Sequence, residues 1–229
     1  PAAQFGFLPL IAGTLWVSLF AILFALPFGL SVSIYMSEVA NPKVRSWLKP
    51  IIELLSGIPS VVYGFFGLIV IVPLIQKLFD LPVGESGLAG SIVLAIMALP
   101  TIITVTEDAM RNCPRAMREA SLALGASQWQ TIYKVVIPYS ISGITSGVVL
   151  GIGRAIGETM AVLMVTGNAA VIPTTILEPL RTIPATIAAE LGEAPAGGPH
   201  YQALFMLGVV LFFITLIINF SVEYISSKG

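Results

Sequence analysis

Charged side chains are scarce in this sequence, and their scarcity decides its class. Asp, Glu, Lys and Arg make up 10% of the 229 residues against 56% hydrophobic ones, with a mean hydropathy of +0.95. Too little polar side chain is available to cover a soluble domain, so the chain reads as a polytopic membrane protein. There is no basic surplus: eleven Lys and Arg against twelve Asp and Glu leave a net charge of -1, which excludes a phosphate-neutralising face for nucleic acid. Cysteine occurs once, at Cys113. No intrachain disulfide is available, no CxxC or His neighbour marks a metal or redox site, and the thiol reads as structural. No GxxxxGK[ST] phosphate loop occurs anywhere, so the chain cannot hold nucleotide in the P-loop manner and has no cofactor of its own. It starts at Pro1 with neither Met nor a basic stretch before the first apolar run, so a preceding segment is expected; no cleavable signal peptide is read.

What the chain has instead is long apolar runs, and a span needs about 20 mostly apolar residues. Five are expected: Leu8 to Met36 with Pro27 and Gly29 inside, Pro50 to Ile75 with Pro59 inside, Gly87 to Met110 with Pro100 inside, Pro138 to Gly167, and Ala203 to Tyr224. Each internal Pro removes a backbone donor, which is tolerable in lipid only where neighbouring helices or local distortion re-satisfy the freed carbonyl. An all-α packed bundle follows.

Lys and Arg set its orientation. Lys43, Arg45 and Lys49 follow the first span, Arg111, Arg115, Arg118 and Lys134 the third, and Lys228 the last, whereas only Lys77 and Arg181 fall on the other side. The excess places the first set in the cytoplasm and the N-terminus of this chain outside. The outer loop after the fourth span, about 168 to 202, is long. Its TTILEPLRTIPATIAAEL part is expected to form a short helix against the outer mouth, closed by Gly192.

From Pro114 to Lys134 the pattern is two short amphipathic helices separated at Gly125, with Ala116, Ala120, Ala123 and Leu124 on one face and Trp129, Ile132 and Tyr133 on the next. A surface connector would account for helicity and cations but not for an insert of this length between two spans. At Glu119-Ala120-Ser121, Gly125, Val135, Ile137 and Pro138 the segment resembles the EAA loop of ABC importer permeases. Ser, Val and Ile stand where that pattern has Ala, Ile and Leu, with the spacing intact. The resemblance implies a coupling helix that docks in a cleft of a separate ATP-hydrolysing subunit, through Glu119, Ala120, Gly125 and Ala126. ATP and Mg would then be held on that partner.

In the fourth span Gly143, Gly147, Gly151 and Ala155 recur every four residues, a smooth stripe for close helix approach. On the adjoining face Ser142, Ser146, Leu150, Arg154 and Glu158 share the period. Charged groups at such depth cost at least ~2.5 kcal/mol each and normally face a cavity or a partner. Arg154 and Glu158, four apart, either pair with one another or serve a passage, and the two readings are compatible. A guanidinium with five donors suits a tetrahedral oxyanion, whereas cation transport would need surplus buried carboxylates. Glu53, Glu107, Asp108 and Glu223 all fall near span ends and read as interfacial.

The stretches LLSGIPSVVYGFFG (54 to 67), ALPTIITVTEDAMRNCPRAMREASLALGASQWQT (98 to 131) and GIGRAIGETMAVLMVTGN (151 to 168) resemble C-type permease subunits of phosphate-specific (Pst) ABC importers, and the resemblance covers nearly the whole chain. Members usually carry a further N-terminal span. The resemblance implies a type I ABC importer permease: one transmembrane domain over residues 1 to 229, with a cytoplasmic coupling loop at about 111 to 137. It would be non-catalytic and reside in the prokaryotic inner membrane, with Arg154, Glu158 and Thr159 on the substrate pathway. Implied partners are a homologous second permease (PstA-like), an ABC ATPase dimer (PstB-like) and an extracytoplasmic phosphate-binding protein (PstS-like). A permease for molybdate, tungstate or sulfate is the competing reading, since Arg chemistry separates tetrahedral oxyanions poorly. A secondary phosphate carrier would need no coupling loop. An intramembrane hydrolase would need a nucleophile and base at span depth, and the single His, His200, lies outside the spans.

Overall fold

The computed structural model describes residues 6–226, all helix and loop apart from one isolated bridge between Gly167 and Leu180. The first apolar run is helix α1, Leu8–Ile34, passing through Pro27 and extended by a π-helical turn to Val39. Asn41 then stops the chain and restarts it: its side chain accepts the Val44 amide at 2.9 Å, and Pro42 opens α2, Pro42–Ser56.

Here the structure corrects the expected second span. α2 is a separate amphipathic helix at the basic end of the molecule, and the chain breaks at Gly57 to Pro59 before α3, Ser60–Phe66, begins. Pro59 lies at the N-cap of the span, not inside it. Proline disfavours helical geometry in the residue before it, so the break falls where the sequence demands one. The Tyr63 hydroxyl closes the corner by donating to the Leu55 carbonyl at 2.7 Å. α3 continues through a π turn, Gly67–Ile71, into α4, Val72–Leu78, and the three together form one span from Ser60 to Leu78. The π turn sits directly ahead of Pro73, whose ring would otherwise press on the carbonyl four residues back. The same arrangement recurs ahead of Pro138.

The third span is α5, Gly87–Arg111, capped by Ser86 and as long as expected. It is the most enclosed helix and packs against α1 and against the fourth span. Two serines bridge it to α1: Ser91 Oγ lies 3.2 Å from the Val17 carbonyl and Ser33 Oγ 3.2 Å from the Ile103 carbonyl. Such bonds are worth about 0.6 kcal/mol each in a bilayer, so close packing does most of the holding.

The basic segment follows as α6, Arg115–Ala123, and α7, Gln128–Thr131, with a π turn, Ile132–Val136, leading into α8, Ile137–Tyr139. α9, Ile141–Gly157, leaves at 70° to the helical run before it. The fourth span therefore starts at Ile141 and stops at Gly157, with a further short helix α10, Met160–Val165, beyond a break. Pro138 belongs to the bend.

The outer loop crosses the ends of the spans. Its backbone is held by Leu180 N to the Thr166 carbonyl at 2.9 Å and Gly87 N to the Glu178 carbonyl at 3.0 Å. Only its second half is helical, as α11, Ile183–Glu190, capped by Thr182 and ended at Leu191. Gly192 is the next residue and keeps a negative φ, so it is not the left-handed cap expected. α12, Pro199–Ser226, is the last span and packs on α9 and α11. Seven of the eight cations assigned to the basic side gather at one end; Lys228 and the Glu223 side chain lie outside what the structure describes.

Candidate functional site

Two faces of α9 do different work. Its small residues press on α5 within the same chain: a Cβ on Gly143 would lie 2.3 Å from the Ala109 Cβ, and one on Gly151 would lie 2.7 Å from an Ile102 side-chain carbon. The glycine stripe is thus already occupied and is no argument for a second subunit. The adjoining face is left open, with Ser142, Ser146 and Leu150 exposed. Arg154 lies on that face, partly buried, about 20 Å along the helix from Ile141. Among the described residues its guanidinium makes no hydrogen bond and no ion pair.

Glu158 does not pair with it. The helix ends at Gly157, and Glu158 is extended at φ -71°, ψ 135°, so the period that placed the two side chains together is interrupted. Its Oε1 instead accepts the Ala161 amide at 3.3 Å, capping α10. Thr159, half-buried at the break, donates to the Gly157 carbonyl at 3.3 Å. Beside it a cavity of about 510 Å³ opens, walled by Gly157, Thr159, Pro184, Ile187 and Leu211; Arg154 and Glu158 do not line it.

At the basic end, α6 and α7 stand out from the bundle. Glu119, Ala120, Leu124 and Gly125 are exposed and Ala126 is half-buried, so the face read as docking is uncovered. Gly125 sits at φ +84°, the left-handed region that permits the turn, and a Cβ there would meet nothing. Ser127 and Gln130 close a reciprocal capping box that restarts the helix. Arg118 anchors the pair to the bundle: Nη1 donates to Glu38 Oε2 at 2.8 Å and Nη2 to the Met110 carbonyl at 2.8 Å. Gln128 Nε2 adds a bond to the Glu38 carbonyl at 3.0 Å.

Sequence reading missed the charge cluster behind this segment. Glu107, taken as interfacial, is fully buried and bound by Arg45 Nη2 at 2.6 Å and Lys49 Nζ at 3.0 Å, with Asp108 on Lys49 at 2.6 Å. Burial opposes the Lys49 charge, but hydrogen bonds to Asp108 and Glu107 outweigh it and hold the ammonium above its ordinary 10.5. That stabilisation is complete below pH 10.5 and is lost only as the pH rises past the raised value. Arg45 and Lys49 lie one turn apart on α2, the one signal a sequence offers that they share a target.

Residues 25–228 match the model of the binding-protein-dependent transport system inner membrane component family. This chain belongs to that family. It is therefore a non-catalytic, multi-pass membrane component of an ABC transporter, a family that works with an ATPase and a substrate-binding protein. It is 41% identical to a probable ABC transporter permease protein, YqgH, of Bacillus subtilis, over 98% of this chain and 73% of that protein. It is 38% identical to the phosphate transport system permease protein PstC of Mesorhizobium japonicum, over 94% of this chain and 71% of that protein. Mycobacterium tuberculosis PstC 1 is 37% identical over 95% and 71%. The fold is that of the MetNI methionine ABC transporter in an inward-facing form, at a TM-score of 0.73 and 20% identity over 96% of both chains. It is also that of a bacterial ABC transporter importing alginate, at 0.70 and 18% over 97% and 79%.

Proposed function

We propose that this chain is the C-type permease subunit of an ATP-driven importer of inorganic phosphate. Residues 1 to 229 form one permease domain, paired with a homologous PstA-like subunit and seated on a PstB-like ATPase dimer. A PstS-like protein delivers phosphate from outside. The observation that carries the reading is an unpartnered guanidinium at span depth, on the one face of α9 that the chain leaves open. A fixed fork of five donors can exchange hydrogen bonds with a tetrahedral anion as it passes. Thr159 supplies a hydroxyl at the break beyond it, and Glu158 fixes that break by capping α10. The names of the PstC relatives, over nearly the whole chain, favour phosphate over molybdate, tungstate or sulfate.

In this reading the basic end faces the cytoplasm and the N-terminus of this chain lies outside, which the Lys and Arg excess supports. The loop of about 111 to 137 docks on the ATPase through Glu119, Ala120, Gly125 and Ala126. Closure of the ATPase then reaches α1 through the Arg118–Glu38 bond. Uptake of labelled phosphate, sulfate and molybdate by the reconstituted complex tests the substrate. Phosphate uptake is expected to exceed the other two by at least tenfold, and equal uptake of sulfate or molybdate would overturn the assignment. Purification of an active complex holding only this permease and the ATPase would overturn the heterodimer.

A further inference from the structure

At the basic end, between α2, the end of α1 and the start of α6, lies a cavity of about 670 Å³. Arg45, Lys49, Arg111, Arg115 and Arg118 line it against a single acid, Glu53. Glu38, Glu107 and Asp108 bind three of those cations from behind, yet the wall keeps a net positive charge. Arg115 has no partner among the described residues, and Arg111 comes no nearer than 3.9 Å to Glu107. Two guanidiniums without a close carboxylate, on a wall of net positive charge, suit an acceptor-rich anion.

α2 identifies the source of that anion. Its inner face carries Arg45, Lys49 and the buried Ile52, while Val44, Trp47, Ile51, Leu54 and Leu55 form an exposed stripe on the outer face, with Trp47 at 76% exposure. An amphipathic helix with an outward apolar stripe and a Trp, joined to two spans, lies in the membrane interface. Its stripe runs beside acyl chains and its cations beside headgroups. We infer that the cavity binds the phosphate of an anionic phospholipid headgroup, with the acyl chains along the α2 stripe. A bound headgroup would bridge α2 to Arg115 and Arg118 of the coupling segment, making the position of that segment depend on lipid charge. The leaflet rests on the orientation proposed above; the headgroup chemistry does not.

The test uses the assembled transporter in nanodiscs of phosphatidylcholine with and without phosphatidylglycerol, read by native mass spectrometry of retained lipid and independent of phosphate uptake. Wild type is expected to retain phosphatidylglycerol, and Arg111→Gln/Arg115→Gln, which removes no short ion pair, is expected to reduce retention at least tenfold with the complex still assembled. Equal retention in the variant, or none in wild type, overturns the proposal. A parallel arm offers inorganic phosphate alone to detergent-solubilised complex and follows protection of Arg115 from an arginine-specific reagent. Protection by millimolar phosphate without protection by phosphatidylglycerol would assign the site to the free anion and overturn the lipid reading. A loss of phosphate uptake in wild type would refute the transport assignment and leave the lipid measurement intact.

Discussion

The Glu158 carboxylate accepts the Ala161 amide at 3.3 Å and forms no ion pair with Arg154, although the two stand four residues apart. One carboxylate shapes the end of a helix while one guanidinium stays available, and their substitutions should separate accordingly.

Arg154→Lys keeps the charge and loses the planar fork. Phosphate uptake per assembled complex is expected to fall by about tenfold or more with assembly unchanged. Glu158→Ala is expected to cost about 1 kcal/mol of local stability through the lost cap, seen as faster hydrogen exchange at Ala161. The charge swap Arg154→Glu with Glu158→Arg should be inactive, since no pair exists to preserve. Normal uptake in both Arg154→Lys and the swap would remove Arg154 from the pathway.

Gly125→Val meets no steric obstacle, so its cost is the backbone alone, about 1–2 kcal/mol for a β-branched residue at φ +84°. The turn between α6 and α7 should distort, and ATP hydrolysis should continue with reduced transport, or the ATPase should fail to bind. Gly125→Asn, which tolerates this conformation, should retain most coupling. Wild-type uptake in Gly125→Val would count against the docking role.

Removing Arg45 leaves the buried Glu107 carboxylate with Lys49 at 3.0 Å and the more distant Arg111 at 3.9 Å. Arg45→Ala is expected to destabilise the protein by about 3 kcal/mol, because an under-compensated buried charge is expensive. Arg45→Ala together with Glu107→Leu should recover part of that loss. A double variant no more stable than the single one, in thermal unfolding in detergent, would show the cluster to be energetically idle.

The outer loop should respond to acid. Hydrogen bonds from the Thr174 hydroxyl, at 2.7 Å, and from the Thr174 and Thr175 amides hold the Glu178 carboxyl below its ordinary 4.5. A lowered carboxylate value contributes stability that is present above pH 4.5 and is lost as the pH falls through the lowered value. The protection of the Gly87 and Leu88 amides, which donate to the Glu178 and Ile176 carbonyls, measured against the intrinsic exchange rate at each pH, should fall below pH 4.5. Protection factors that stay constant from pH 7 to pH 3 would sink the prediction, and Glu178→Gln should abolish their pH dependence.

The spans, the basic end and the two helices around Gly125 were legible in the sequence, because hydropathy, Lys and Arg distribution and a left-handed Gly are local signals. The break after Gly157 was not. The apolar run continues to Val165 with no Pro, so helical period alone aligned Arg154 with Glu158. The second span was begun too early because hydropathy averaged across Gly57 and Pro59, although Val44, Trp47, Ile51, Leu54 and Leu55 already recur at helical spacing. Glu107 meets cations about sixty residues away, a juxtaposition that only packing creates.

Close to its start, α1 has no slack. A Cβ on Gly13 would lie 2.2 Å from the Arg181 carbonyl oxygen, and the neighbouring Thr14 hydroxyl accepts the Ile183 amide at 2.9 Å. The helix is pinned there by contact with backbone, which cannot rotate aside as a side chain would. Glu38, some 25 residues further on, carries the Arg118 bond at the opposite end. At 1.5 Å per residue the arm between them is roughly 38 Å, so a tilt of about 5° about Gly13 would move Glu38 by roughly 3 Å. A fulcrum at one membrane surface would turn a small push at the other into a lateral sweep of the whole helix, and spin labels at the exposed neighbours Leu15 and Val39 would register it as a displacement at the second position only.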